Sequence, residues 1–356
     1  MKNKYLILCF TAVCAVLLWL LPSCEKEFNP RDEYKDITII YGLINPVDSI
    51  HYIRINKAFL GPESIIVMAK NPDSSTYPVE DIDVRIYEVT PNGNSTQLTV
   101  GTTIIHNKDS GYFYYPDQMV YYFEKTFDKK TDNTIKIEVE HKKTGKIVYA
   151  QTSVVNAFNV YTPRAETQPN FDPEQTVMKF EWDNAKNGKI YDVYYTMYYR
   201  EGSVPDFSVF RKDSVVWHMG TYSAAQTGNG SSQVEIFQFN PGAFYSQVAK
   251  KVPYNTSLWR SPYSTVKFAI WCGSEELYYY HNINSPSQGL AQERPEYTNL
   301  KTKVYSEELG AYQELEDEAF GLFSSRIVQY VPLYLSDKMW REYLPGIDRQ
   351  FTGVVN

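Results

Sequence analysis

Residues 134–155, TIKIEVEH-KKTG-KIVYAQTSVV, decide the fold class. Two strand-like runs, TIKIEVEH (134–141) and KIVYAQTSVV (146–155), flank Lys142-Lys143-Thr144-Gly145, and together they read as a hairpin. Toward the N-terminus the pattern recurs. ITIIYGLI (37–44) and HYIRINKAFL (51–60) flank a turn at Pro46-Val47-Asp48-Ser49, and in the second run Tyr52, Arg54 and Asn56 alternate with Ile53, Ile55 and Lys57. Residues 61–80, with Pro62, Pro72 and Pro78, read as a loop. IDVRIYEV (82–89) then puts Ile82, Val84 and Ile86 on one face, and Asn92-Gly93 marks a turn. GYFYYP (111–116) and MVYYFEKTF (119–127) complete the set. Short strands at near-regular spacing predict a β-sandwich over 37–157.

A second unit, 158–356, opens on a stretch punctuated by Pro163 and Pro169. Its expected strands are TVMKFEWD (176–183), KIYDVYYTMYYRE (189–201), QVEIFQF (233–239), VKFAIWCG (266–273) and GLFSSRIVQYVPLYL (321–335). Asn187-Gly188 joins the first two, and a polar insertion at 202–232 is broken by SVVWHMGTY (214–222). Three helices are expected. Asn240-Pro241 opens PGAFYSQVAKKV, Ser274 caps EELYYYHN, and Ser336 caps DKMWREYL, with Pro345 and Gly346 as the stop. The expected fold is therefore mainly β, an N-terminal β-sandwich followed by a second, fibronectin-like β-sandwich decorated with a few short helices.

The N-terminus carries an address. Lys2 and Lys4 precede an uncharged, mostly apolar run, Tyr5 to Leu21, followed by Pro22-Ser23-Cys24 and Glu25-Lys26-Glu27. A charged start, an apolar middle and a small residue at the cut site mark a signal peptide, here 1–23. The thiol that follows can carry a diacylglycerol. An uncleaved span is the competing reading, and Pro22 breaks the helix where a span would continue. Cys24 is thus the expected lipid attachment site. Residues 24–36 are polar and read as a tether that reaches roughly 40 Å at most.

Cleavage there removes Lys2 and Lys4 and no acid, moving the net charge from −7 to −9. That balance argues against nucleic acid or an anionic membrane face as a partner, since both need basic patches. Cys9 and Cys14 leave with the signal, so Cys272 is the one unlipidated thiol of the mature chain and reads as buried and inert. No HxH, HExxH or GxSxG pattern occurs, and the five histidines (51, 106, 141, 218, 281) read as surface or turn residues. Glu275-Glu276 is the nearest local carboxylate pair, and helix capping accounts for it. The run Glu314, Glu316, Asp317, Glu318 reads as a solvated acidic turn. No catalytic residue, metal or cofactor is expected. Tyr occurs 31 times, most of it in alternating strands. Trp217, Tyr222, Trp259 and Tyr263 are expected in or beside loops and are the candidate binding aromatics.

The segment at Ser23-Cys24-Glu25-Lys26-Glu27, the early YGLINPVDSIHYIRINKAF and the late EYTNL and EAFGLFSSR strings are similar to Bacteroidetes envelope lipoproteins of unknown function. Thr298-Asn299 and Gly321-Leu322-Phe323 stand at the places of a shared Asn and Gly-Xaa-Phe pattern. Such proteins are often found beside TonB-dependent outer-membrane receptors. The resemblance implies a lipid-anchored outer-membrane protein, at the cell surface or facing the periplasm, and a non-catalytic binding or accessory role beside a receptor. A fimbrial or adhesive subunit and a glycan-binding or glycan-active surface protein are the alternatives.

Overall fold

The computed structural model describes residues 37–59, 64–203, 210–231, 233–284, 297–316 and 318–352. The expected signal peptide, Cys24 and the tether lie outside the described residues, as does Asp317. No described helix is long and apolar enough to cross a membrane.

The protein is mainly β. Its N-terminal strands are β1 (Thr38–Ile44), β2 (Ile50–Lys57), β3 (Ile82–Val89), β4 (Ser95–Leu98), β5 (Val100–Ile105), β6 (Gln118–Glu124), β7 (Thr134–His141) and β8 (Ile147–Ser153). Then come β9 (Val160–Thr162), β10 (Met178–Asp183), β11 (Ile190–Ser203), β12 (Phe210–Ser223), β13 (Val234–Phe239) and β14 (Leu258–Gly273). The last are β15 (Lys301–Ser306), β16 (Ala311–Leu315) and β17 (Ala319–Tyr334). They form three sheets, ordered β12-β11-β14-β17-β1-β2-β6-β5, β16-β15-β8-β7-β3-β4 and β13-β10-β9.

Two cores result. One half of the eight-stranded sheet packs on the six-stranded sheet through Ile40, Ile53 and Phe123 against Ile86, Ile137 and Val148. The other half packs on the three-stranded sheet through Tyr195, Trp217 and Phe268 against Phe180, Trp182 and Phe239. The helix Ala243–Lys251 adds Phe244 and Val248 to that second core. Burial of such side chains removes apolar surface from water, the main favourable term in folding.

The core changes between Val154, which belongs to the first, and Val155, which belongs to the second. Pairing does not respect that change. The hairpin β15-β16 extends the N-terminal six-stranded sheet through β8. Strand β17 serves both sandwiches. Its residues Ala319–Ser325 pair in parallel with β1, and Arg326–Tyr334 pair antiparallel with β14. The described residues belong to one compact unit.

The hand-over within β17 has a specific chemistry. Asn299 donates its side-chain N–H to the Phe323 carbonyl (2.7 Å), and its side-chain oxygen accepts the Phe323 N–H (3.0 Å). One amide therefore stands in for a neighbouring strand. Ser325 Oγ donates to the Ile44 carbonyl and accepts from the Val155 N–H, both at 3.0 Å. Gly321 has φ +118°, and a Cβ there would fall on the Ile40 carbonyl. Gly42 leaves the room that the Phe323 ring fills.

Several expectations are corrected. GYFYYP (111–116) is not a strand but a loop, with Tyr112 75% exposed. Strand propensity was high there, but no neighbouring strand pairs with it. Residues 61–80 are not plain loop. They carry the helices Ile65–Ala69 and Pro72–Ser75, with Ser64 and Asn71 as side-chain N-caps. The expected insertion at 202–232 is largely strand, because β12 pairs with β11 from Gly202–Phe210 to Ile190–Ser223. The C-terminal helix contains a π-turn from Met339 to Tyr343, which the sequence did not announce, and ends at Gly346 as expected. Glu314 sits on β16, not in a turn.

Replacing Gly321 by Ala is expected to cost about 3 kcal/mol or more, since it combines backbone strain with a main-chain clash. Asn299→Ala should cost about 1–3 kcal/mol by leaving two Phe323 main-chain groups without partners. Gly310 also has positive φ (+60°) but nothing near its missing Cβ, so Gly310→Ala should cost only about 1–2 kcal/mol. Urea midpoints measure the order. Equal losses at positions 310 and 321 would remove the role given to the β1–β17 contact.

Candidate binding face

The eight-stranded sheet has an outer face that neither core covers. Because side chains alternate along a strand, residues 191, 193, 195, 197 and 199 of β11 point into the core while 192, 194, 196 and 198 point out. The outward set of β11, β14 and β17 lines a trough of about 580 Å³, walled at one end by Leu277 of the helix Glu275–Asn284.

Aromatic rings and cations interleave across this trough. Tyr194 stacks on His218 of β12 with centroids 4.8 Å apart and meets Trp271 of β14 edge-on at 6.3 Å. Arg326 of β17 lies 4.5 Å over the Trp271 ring, and Lys267 of β14 lies 4.1 Å over the Tyr330 ring. Such cation–ring contacts hold both partners in place at modest energy. Tyr330 and Tyr198 remain 49% and 38% exposed. Lys267 and Arg326 make no ion pair among the described residues, and Arg326 Nε, itself buried, has no hydrogen-bond partner there. Burial lowers the Arg326 pKa, opposed by the charge of Asp48. On an acidic chain, two cations held on rings in an open trough form a local positive site.

Asp192 is the one carboxylate lining the trough. Its Oδ1 accepts from Thr221 Oγ1 (2.6 Å) and contacts His218 Nε2 (3.1 Å). The Thr221 hydroxyl is thus committed to the carboxylate rather than to the imidazole, and the nucleophile-to-base link of acyl-transfer chemistry is not made. The arrangement is suited to binding. Planar apolar rings, two cations and a carboxylate offer stacking and charged hydrogen bonds to a ligand.

The four aromatics expected in or beside loops all lie within strands, Tyr222 one residue from the end of β12 and Trp259 one residue from the start of β14. Trp217 and Tyr222 lie in β12 and face inward, where Trp217 packs on Phe171, Phe239 and Phe244. Tyr222 packs on Trp182 and donates to Glu235 at 2.5 Å, and burial followed by that carboxylate pushes its pKa up to about 12. Trp259 and Tyr263 lie in β14, where a register shift interrupts the pairing with β11. Trp259 is 41% exposed, and Tyr263 has Lys212 6.0 Å from its ring centroid. Neither lines the trough. Tyr194, Tyr198, Trp271 and Tyr330 are the aromatics that do, and one signal for them was present in the sequence. The YYTMYY run is aromatic at both parities, so one set had to face away from the core.

The remaining polar candidates have structural work. Glu276 accepts from Ser274 Oγ and from Thr152 Oγ1 (3.4 Å), which ties the helix start to β8. Among the described residues no group of three His, Cys, Asp or Glu side chains could hold a metal. Two histidines expected at the surface are buried. His141 contacts Thr38 Oγ1 at 2.9 Å and lies edge-on to Tyr77. His51 donates from Nε2 to the Lys125 carbonyl (2.9 Å) and stacks on Phe123 at 4.7 Å. Cys272 is fully buried, and burial pushes its thiol pKa far up, as an inert cysteine requires. No protein-family model matches the chain, and no curated protein matches it.

Burial lowers the His51 pKa below its ordinary 6.5, so the unfolded chain takes up this proton first as acidity rises. The contribution is complete above about pH 6.5 and declines as pH falls through the window below. His51→Gln keeps a donor for the Lys125 carbonyl without a titrating group. Between pH 7 and pH 5 the urea midpoint should therefore drop less in His51→Gln than in the parent; an unchanged pH dependence would contradict the assignment.

Proposed function

We propose that this chain is an envelope lipoprotein, anchored through Cys24 to the outer membrane, that binds a partner without catalysing a reaction on it. The observation that carries the binding part is the trough on the outer sheet face. Interfaces concentrate their energy in aromatic and arginine anchors, and Tyr194, Trp271, Tyr330 and Arg326 supply that composition on a rigid sheet. Lys267 and Arg326, which make no ion pair among the described residues, favour a partner segment bearing carboxylates. The address at Lys2 to Cys24 supports the location, and the likeness to envelope lipoproteins found beside TonB-dependent receptors supports an outer-membrane protein as the partner.

A glycan is the second reading, favoured by the same rings, because a sugar's apolar face stacks on Tyr and Trp. A fimbrial role through strand donation has less support. The long edge strand β12 carries Arg211, Lys212 and Asp213, and a register shift twists its pairing with β11; both features discourage strand addition.

Two measurements test the proposal. Mass spectrometry of the native protein should find residues 1–23 absent and Cys24 acylated; an intact Met1 start sinks the location. A photo-crosslinker at Tyr198 in the native membrane should capture an outer-membrane protein, and Lys267→Glu with Arg326→Glu should reduce the yield at least tenfold, as loss of about 1.4 kcal/mol or more would do. Capture unaffected by both charge reversals would place the interface elsewhere. No protein capture together with a positive polysaccharide array would transfer the trough to a glycan.

A further inference from the structure

A second exposed apolar surface, apart from the trough, lies on two short segments of the N-terminal sandwich. Ile65, Ile66 and Val67 occupy consecutive positions of the helix Ile65–Ala69 and are 72%, 54% and 54% exposed. Tyr112 through Tyr115 form the loop that had been expected as a strand, and all four side chains are exposed. The Tyr114 N–H donates to the Ala69 carbonyl at 2.9 Å and ties the loop to the end of the helix. Asn56 of β2 donates to the Ser75 carbonyl (2.8 Å) and fixes the following turn to the sheet. The result is a built tip. Folding gains nothing from showing water three branched aliphatic and four aromatic side chains, and contiguous patches of this kind mark interaction sites.

The position of the tip says what covers it. The Ala58 N–H donates to the Ile37 carbonyl at 2.9 Å, and Thr38 pairs with Lys57, so the chain enters β1 at this end of the sandwich. Ile39 and Lys57 line the same hollow of about 700 Å³ as Phe113 and Tyr114. Twelve residues separate Cys24 from Ile37, a span of roughly 40 Å at full extension. A bilayer holding lipid on Cys24 is thus within reach of the tip. The composition fits that surface as well. Tyrosines favour the headgroup region, where the ring sits in an apolar layer and the hydroxyl stays wet, while Ile, Val and Phe reach toward the acyl boundary. Lys70 is exposed at the helix end, and Lys108 lies 5.5 Å from the Phe113 ring centroid in a hollow that Asp73 and Asp117 also line.

We propose that the tip formed by Ile65–Val67 and Tyr112–Tyr115 is a second membrane attachment, seated in the interface of the bilayer that carries the protein's own lipid. This rests on acylation of Cys24. It would turn a tethered domain into an oriented one, with the β1 entry end held down against the headgroups.

The full chain, reconstituted in protein-free vesicles of phosphatidylethanolamine and phosphatidylglycerol, tests this. An environment-sensitive fluorophore is attached at Phe113→Cys and, in a separate protein, at Ile66→Cys; Cys272 is buried and stays unlabelled. A third protein carries the probe at Tyr330→Cys. Flotation on a density gradient reads the anchor, and quenching by spin-labelled lipid reads the tip. The probes at 113 and 66 should shift to the blue and be quenched at a depth of about 5–10 Å. The probe at 330 should remain water-like. Adding Ile65→Asp and Tyr112→Asp should abolish the quenching at 113 while flotation persists. Probes at 113 and 66 that stay water-like on a floating protein overturn the tip alone. Quenching seen only in native membranes, not in these vesicles, overturns it in favour of a protein partner. Failure to float overturns the anchor and, with it, this proposal.

Discussion

The parallel pairing of β1 with the first half of β17 is the contact on which the whole molecule depends. It joins strands from opposite ends of the described chain, with Ile44 and Ser325 hydrogen-bonded across a separation of 281 residues. Without it the eight-stranded sheet divides into two four-stranded halves, each exposing the main chain of a central strand. Parallel pairs need both ends satisfied, and here side chains complete the job. Asn299 supplies donor and acceptor to Phe323, and Ser325 bridges Ile44 to Val155. Contacts of such long sequence separation carry a large loop-closure cost before they return anything. The cost is offset by two cores that β17 closes together, with Phe323 in one and Val331 in the other.

Sharing a strand has a consequence for binding. The outer face of one sheet is continuous from β12 to β5, so the trough over β11, β14 and β17 and the outer sides of β1, β2 and β6 belong to one surface. Tyr41 of β1, with Arg54 5.0 Å from its ring centroid, meets Tyr280 of the helix that walls the trough. Rings paired with cations thus recur on this face in both halves. The apolar tip stands at the end where the chain enters β1. A partner held in the trough would keep a fixed relation to that end.

Much of the fold was legible because strand signals are local. The hairpin at 134–155, the turn at Asn187-Gly188 and the alternation through 82–89 follow from side-chain parity and turn chemistry, which need no knowledge of partners. The failures are places where partners decide. GYFYYP has as much strand character as any segment here, yet it turns outward and bonds to a helix end. His51 and His141 sit in strands whose parity places them inside, where His51 bonds the Lys125 carbonyl and His141 contacts Thr38, which no sequence pattern announces. Trp217 and Tyr222 were expected at loops because the run around them is polar and Gly-rich, whereas β11 recruits that run as its neighbour along 14 residues. The trough itself was half legible. Aromatics at both parities of β11 required an outer aromatic face, but Lys267 and Arg326 join it only through pairing of β14 with β17.

By itself the sequence determined the strand-rich character, most turns and the places of the three longer helices, since each rests on interactions within a few residues. Tertiary structure alone decided that the two sandwiches share β17, that β15 and β16 return to the N-terminal sheet, and which aromatic residues face water. The physical reason is that sheet order is a choice among distant main-chain partners. Every strand offers the same donors and acceptors, so only the fit of whole faces, such as Gly42 against Phe323 or Gly321 against Ile40, selects one arrangement over the others.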